Sequence, residues 1–162
     1  MSDIARTKAE EVYSTLCGLF DNKGWRYEKE EDDLLVKCTF RGEDLPMDFF
    51  MRVYPDQATV ALFSPLHFSV PEDKRLTMAA AVCAVNDSIL DGSFDFDIRD
   101  GQLLFRMNNS YLDCDPSMEV FDYMLGMANA VVDAYNDRFL MLAKGDISID
   151  QFLAKVYRLE GN

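Results

Sequence analysis

The hydrophobic pattern of the chain is clearest between Phe94 and Met107, where apolar and polar residues alternate on both sides of Asp100-Gly101. This dipeptide is the one that a two-residue type I′ turn prefers, so the segment predicts a β-hairpin. Such a turn places Asp95 opposite Arg106 on one face of the hairpin. On the other face it pairs large apolar residues: Ile98 with Leu103, Phe96 with Phe105 and Phe94 with Met107.

A helix is predicted immediately before the hairpin, from about Pro71 to Gly92. One polar residue, Asn86, lies inside the apolar stripe of this helix, and we interpret it as a core or interface amide with satisfied hydrogen bonds, since buried amides usually find backbone partners. The predicted apolar stripe comprises Leu76, Ala79, Ala80, Val82, Cys83, Ile89 and Leu90.

The amino-terminal half predicts one helix followed by an antiparallel meander of four strands. The helix runs from about Ser2 to Asn22, and Gly24 ends it. Alternating segments separated by polar turns give the strands, which are Trp25–Glu30, Leu34–Phe40, Met47–Tyr54 and Ala58–Phe63.

Two more helices are predicted after the hairpin. The longer begins at Asp115-Pro116, a capping residue and a favoured first helical residue, and runs to about Lys144. The shorter begins at Ser148, with Gln151 in the capping-box position and apolar staple residues on either side. Because so short a helix is marginal alone, three of its residues must dock on the rest of the chain: Phe152, Val156 and Leu159.

Several large apolar residues fall outside these predicted core faces. Phe50, Tyr54 and Phe63 lie on the nominal outer face of the meander, and they form either a covered second face or an exposed patch for a partner. Tyr123 and Met127 widen the apolar arc of the long helix, which is either a fully buried core helix or one that also meets a second copy or a client.

Composition narrows the class of protein. At 162 residues the chain fits one domain spanning 1–162, with 146–160 as an appended helix. The formal net charge of -13 argues against nucleic-acid binding, which depends on a basic surface. No apolar run is long enough to span a membrane. Four irregularly spaced cysteines suit reduced, mostly buried thiols, so we expect a cytoplasmic protein.

No catalytic, cofactor or metal motif stands out. His67 is the only histidine and lies in no serine or cysteine motif, so a structural or surface role is expected. The acidic stretch over residues 91–100 does not fit a calcium-binding loop. Counted from Asp95, Arg99 occupies the third ligand slot, and the twelfth residue, Arg106, is not acidic. We therefore expect no catalytic residue, no cofactor and no metal.

The sequence AVCAVNDSILDGSFDFDIRDGQLLFRM, residues 81–107, joins an asparagine-bearing helix to a Phe-rich strand, an Asp-Gly turn and a second strand. With the element order around it, this passage resembles the YbjN family of small bacterial proteins and the type III secretion chaperone-like fold. The resemblance covers about Ala5 to Leu142. It implies an α+β fold, α-β-β-β-β-α-β-β-α plus a short carboxy-terminal helix, with an antiparallel sheet packed against helices. It also implies an acidic homodimer that holds a partner segment.

The resulting hypothesis is a non-enzymatic interaction module, chaperone-like or regulatory, that binds a protein or peptide client as a homodimer. The residues expected to contact the partner are Phe50, Tyr54, Phe63, Tyr123 and Met127. The alternative is a small-ligand sensor or enzyme with a pocket between the sheet and the long helix. A third hypothesis is a domain whose dimerisation is its only interaction.

Overall fold

A computed structural model describes residues 3–42 and 45–158 of the chain. Its helices are α1 (Asp3–Lys23), α2 (Arg75–Ser88), α3 (Met118–Lys144) and α4 (Ile149–Val156), and a short 3₁₀ helix (Glu72–Lys74) precedes α2. Its strands are β1 (Glu28–Glu30), β2 (Leu35–Arg41), β3 (Pro46–Tyr54), β4 (Thr59–Ser69), β5 (Ser93–Asp97) and β6 (Gln102–Ser110).

The strands form one six-stranded antiparallel sheet in the order β1-β2-β3-β4-β6-β5. The predicted α+β class and the predicted element order are confirmed. The sheet order shows where the two predicted units join, because β4 of the meander pairs with β6 of the hairpin.

One face of the sheet carries the core. Side chains of β3 alternate between buried and partly exposed, as expected for a sheet covered on one face. The covered positions belong to one cluster with residues of all four helices, which include Leu16 and Phe20 of α1, Phe121 and Phe139 of α3, and Phe152 of α4. None of the helices in the described part of the chain is long and apolar enough to cross a membrane.

The helix ends are mostly as predicted. Gly24 has a φ of 66°, a left-handed conformation that glycine adopts easily, just after α1. At α4 the capping box is complete: the Gln151 N–H donates to the Ser148 hydroxyl, and the Ser148 N–H donates to the Gln151 side chain. Phe152 and Val156 are buried as predicted, and Leu159 lies outside the described residues.

The predicted start of α3 is wrong, because Ser117 rather than Asp115 occupies the N-cap position.

The predicted hairpin register is also wrong. Phe94 pairs with Phe105 and Phe96 with Leu103, because the connection is a four-residue loop closed by a hydrogen bond from the Gly101 N–H to the Asp97 carbonyl, 2.7 Å. The error is two residues, so it preserves which side chains share a face. Ile98 falls in the loop and is 46% exposed.

The predicted apolar stripe of α2 has the wrong phase. Leu76 is 78% exposed and Leu90 is 97% exposed, whereas Met78 and Val85 are fully buried. Cys83 is exposed as well, and so is Cys114, so only Cys17 and Cys38 fit the expectation of buried thiols. The helix also ends at Ser88, four residues before the predicted end at Gly92.

Strand β4 extends beyond its predicted end at Phe63 to Ser69. Its pairing with β6 shifts between Pro65, which faces Leu104, and Ser69, which faces Gln102. Four steps along β4 therefore match two steps along β6, and this irregularity is the β4 bulge, residues 65–69. Proline is tolerated inside a sheet at such a bulge because one ladder hydrogen bond is already missing there.

Both outer edges of the sheet are protected against further strand pairing. β1 has only three residues, all exposed, with the sequence Glu-Lys-Glu. At β5, the Asn86 side chain accepts from the Phe94 N–H at 2.8 Å and donates to the Phe94 carbonyl at 3.0 Å. Asn86 is thus the satisfied amide that was predicted, and it occupies backbone groups that an added strand would need.

Candidate binding surfaces and an apolar cavity

The first candidate surface lies on the sheet face opposite the buried core positions. We call it the open sheet face and define it by Lys37, Phe50, Tyr54, Phe63 and Arg106. Four of these residues form a single row across β2, β3, β4 and β6, since Lys37 pairs with Phe50, Phe50 with Phe63, and Phe63 with Arg106. The row therefore has two adjacent, partly exposed rings with a cation at each end.

The cations of the open sheet face are ion-paired. The Lys37 ammonium contacts Glu30, and the Arg106 Nε lies 2.8 Å from an Asp95 carboxylate oxygen. Arg106 reaches Asp95 diagonally, since Ser93 is its partner in the ladder. These pairs hold the long side chains beside the aromatic rings, and exposed pairs of this kind add little stability in themselves.

Tyr54 lies farther along β3, at the end of the strand. The Arg52 guanidinium lies 5.3 Å from the centre of its ring, within the range of a cation–π contact. Arg52 also pairs with Asp33 at 2.6 Å. Tyr54 thus belongs to the same face as Phe50 and Phe63 but lies apart from that ring pair.

The second candidate surface belongs to α3, which packs on the covered side of the sheet. Tyr123 is 49% exposed, and its hydroxyl donates to an Asp91 carboxylate oxygen at 3.1 Å. That hydrogen bond raises the pKa of Tyr123. Met127 is partly buried and packs against the core cluster. The five predicted partner-binding residues therefore lie on two opposite sides of the sheet.

His67 also lies at the surface. Its Nε2 is 3.1 Å from an Asp48 carboxylate oxygen, and its side chain is 55% exposed. In the part of the chain that is described, no group of three or more histidine, cysteine or acidic side chains is arranged to hold a metal ion.

One of the most perturbed pKa values belongs to a residue near His67, since the effect of burial on the pKa of Cys38 is increased by Asp48, the partner of His67. Burial raises the pKa of the Cys38 thiol to about 12, and burial also raises the pKa values of Cys17 and Tyr13. The Arg99 side chain holds the pKa of Asp97 at about 2 through a hydrogen bond on the exposed hairpin loop. These shifts have local structural causes, namely burial and a neighbouring ion pair.

An apolar cavity of about 300 Å³ lies between the sheet and α3. Residues 64–68 of β4, which include most of the β4 bulge, line one side, and Val132, Asn136 and Leu140 of α3 line the other. The cavity has the position that the small-ligand hypothesis predicted. Its two buried polar residues, Ser64 and Asn136, were not among the predicted functional residues.

A signal for both residues was present in the sequence. Ser64 interrupts an alternating series of inward residues in β4, which is Val60, Leu62, Ser64 and Leu66. Asn136 follows Val132 by four positions and precedes Phe139 by three, so it occupies the apolar stripe of α3. A polar residue in the core phase of an amphipathic element marks either a satisfied hydrogen bond or a functional site.

A family model described as "YbjN: Putative bacterial sensory transduction regulator" matches residues 13–141. The chain belongs to the YbjN family. The matched range includes all six strands, the five predicted partner-binding residues and the residues that line the cavity. It ends before α4, which begins at Ile149.

Two solved structures share the fold of this YbjN-family chain. One is described as "Crystal structure of YbjN, a putative transcription regulator from E. coli", with 16% sequence identity, a TM-score of 0.58 and coverage of 75% of this chain and 86% of that chain. The other is a chain in the "Crystal Structure of the ExsC-ExsE Complex", with 12% identity, a TM-score of 0.58 and coverage of 78% and 92%. No curated protein sequence gives a significant match.

Proposed function

We propose that this YbjN-family chain is a non-enzymatic, cytoplasmic protein-interaction module with a regulatory or chaperone-like role. It acts as a homodimer and binds a segment of a client protein. The observation that carries the proposal is the directly paired Phe50 and Phe63, which remain partly exposed on the open sheet face. Adjacent aromatic rings supply large contact area at small cost in side-chain entropy, and they are enriched in protein interfaces.

The similar fold of a chain that was crystallised in a two-protein complex supports the proposal. The net charge supports it as well, because a chain with a formal charge of -13 attracts basic segments and repels acidic ones. We therefore expect the client segment to combine apolar side chains with basic ones. Its apolar residues contact Phe50, Phe63 and Tyr54, and its basic residues lie near the surrounding acidic groups.

We assign the two interactions to different sides of the sheet. The client occupies the open sheet face, and the second copy meets the exposed side of α3 through Tyr123 and Met127. The exposure of Tyr123 supports this assignment, since its aromatic ring lies on the outer side of a helix whose other side is already buried against the sheet. The shortness of β1 and the Asn86 cap at β5 disfavour a dimer formed by edge-to-edge strand pairing.

Sedimentation equilibrium at micromolar concentrations tests the dimer. We expect a dimer for the wild type and a monomer for the double variant Tyr123→Ser with Met127→Ser. Tyr157→Ser is the matched control, because Tyr157 is 44% exposed on a different helix end. A monomeric wild type would contradict the proposed dimer, and a dimeric double variant would contradict its assignment to α3.

An array of peptides of systematically varied sequence tests the client site. The wild type should bind extended peptides that contain both apolar and basic residues. Phe50→Ser with Phe63→Ser should weaken that binding at least about tenfold, which corresponds to about 1.4 kcal/mol, while the dimer persists. Circular dichroism should show that this double variant is folded, which excludes loss of structure as the cause of the weaker peptide binding. Equal binding by the wild type and the double variant would contradict the assignment of the client to the open sheet face.

A further inference from the structure

The cavity between the sheet and α3 has features of a small-molecule site that is independent of the two protein surfaces. It lies on the covered side of the sheet, so a client on the open sheet face does not reach it. The β4 bulge lies beside this space, since residues 65–68 belong both to the irregular stretch of β4 and to the lining of the cavity. Its volume of about 300 Å³ is at the small end of the range for ligand sites.

The lining is mainly apolar. Met47 and Leu66 contribute from the sheet, Val132 and Leu140 contribute from α3, and Phe68 follows the centre of the bulge. Burial of an apolar ligand surface against such side chains is favourable in proportion to the area removed from water. The lining therefore selects a molecule whose body is a hydrocarbon or an aromatic ring.

Two polar residues interrupt this apolar lining. Ser64 is 0% exposed and Asn136 is 4% exposed. The Ser64 hydroxyl and the Asn136 amide nitrogen have no hydrogen-bond partner among the described residues, although the Asn136 amide oxygen accepts from the Asp137 N–H at 2.6 Å. Buried polar groups are nearly always hydrogen-bonded, and here two of them, from facing elements, line the same cavity.

We propose that this cavity binds a neutral small molecule with an apolar body and a carbonyl or hydroxyl oxygen. Both polar atoms are covered in the ligand-free structure, so a ligand oxygen reaches them once the Ser64 and Asn136 side chains rotate toward the cavity. The Asn136 amide nitrogen is a donor and the Ser64 hydroxyl can donate, so together they then fit an acceptor oxygen on the ligand. His67 is the one ionisable side chain among the residues that line the cavity, and it is paired with Asp48. A ligand carboxylate would thus be buried without a free cation, which is unfavourable.

The size of the ligand follows from the volume. One water molecule takes up about 30 Å³ of the liquid, so a cavity of this volume equals about ten waters. The ligand therefore has on the order of ten non-hydrogen atoms.

Three probes that share a phenyl ring and a four-carbon chain and differ in their oxygen groups test the proposal. Butyrophenone has a neutral carbonyl, butylbenzene lacks any oxygen, and 4-phenylbutyrate carries a carboxylate. Each is titrated into the full-length protein labelled with ¹⁵N, and the backbone amide signals are followed by NMR. We expect saturable shifts for butyrophenone at residues 64–68 of β4 and around Asn136, and affinity at least tenfold higher than that of either other probe.

Two variants test the polar groups. Ser64→Ala and Asn136→Leu should each lower the affinity for butyrophenone at least threefold and leave that for butylbenzene unchanged. Both should also keep or raise the melting temperature of the ligand-free protein, because they remove two buried donors without partners, the Ser64 hydroxyl and the Asn136 amide nitrogen, and the Asp137 N–H that donates to Asn136 lies within a helix. Asn129→Leu is the matched control, since Asn129 lies on the same helix and lines a different depression. It should leave butyrophenone binding unchanged.

Three results would overturn the proposal. The first is that none of the probes binds saturably, and the second is that the carbonyl confers no advantage over butylbenzene. The third is that both cavity variants lower the melting temperature and leave butyrophenone binding unchanged, which would mean that water or internal partners satisfy Ser64 and Asn136. Each result is independent of the peptide array and of the sedimentation data, so the proposed function stands or falls separately.

Discussion

The cap that Asn86 places on the outer edge of β5 gives a quantitative prediction. The Asn86 side chain makes two hydrogen bonds to one residue. Its amide oxygen accepts from the Phe94 N–H at 2.8 Å, and its amide nitrogen donates to the Phe94 carbonyl at 3.0 Å. A typical intramolecular hydrogen bond contributes about 1 kcal/mol net, and a buried group left without a partner costs more. Asn86→Ala should therefore lower the free energy of unfolding by about 2 to 3 kcal/mol.

Urea denaturation followed by the fluorescence of Trp25, the single tryptophan, measures this loss. The midpoint should fall while the slope with denaturant stays unchanged, because the variant alters stability rather than the surface exposed on unfolding. Asn22→Ala is the control: Asn22 is exposed near the end of α1, and its change should stay within about 0.5 kcal/mol.

A loss below about 0.5 kcal/mol for Asn86→Ala, similar to that of the control, would refute the reasoning. It would show that water replaces the amide at the edge of β5 without cost. A full loss accompanied by concentration-dependent association would add that the cap also prevents pairing of exposed strands, since an uncapped edge offers free backbone groups.

Three further changes test other features of the fold. Gly101→Ala should destabilise the protein by about 1 to 3 kcal/mol, because Gly101 has a φ of 79° and an added Cβ would lie 2.4 Å from the Val70 carbonyl oxygen. Gly126 lies on α3 with open space around it, so Gly126→Ala should instead stabilise the protein by up to about 1 kcal/mol. If urea denaturation showed that both glycine variants change the free energy of unfolding in the same direction, this account would be contradicted. Phe152→Ala should lower the free energy of unfolding by about 3 to 5 kcal/mol, since Phe152 is 1% exposed and its ring centre lies 5.3 Å from that of Phe139. A loss near zero would show that α4 does not dock in solution. A thiol-specific reagent at neutral pH should modify two cysteines quickly and the other two only after unfolding, and mass spectrometry should locate the fast pair at Cys83 and Cys114.

The sequence was sufficient to predict the element order because strong periodicity and turn residues act locally. Asn86 was interpreted correctly from its place in an apolar helix. The hairpin faces were also correct although the register was not, because a two-residue error leaves the alternation of side chains unchanged. The stripe of α2 was wrong because its run of alanines and valines is apolar on most sides, so the pattern has little directional information.

The candidate sites were less predictable because they depend on tertiary packing. Nothing local indicates that Phe50 and Phe63 are direct neighbours while Tyr123 lies on the other side of the sheet. The cavity residues were missed for a different reason. The predicted fourth strand ended at Phe63, so Ser64 was not read as an inward residue of a longer strand.

The register step in β4 lies beside the cavity, yet the strands on either side of the step remain paired. Between Pro65 and Ser69, β4 has two more residues than the paired stretch of β6, and residues 66–68 line the cavity. The size of the cavity thus depends on the number of residues that β4 has between Pro65 and Ser69. Insertions or deletions in this stretch can therefore resize or close the cavity. The paired rings of Phe50 and Phe63 on the open sheet face would keep their geometry.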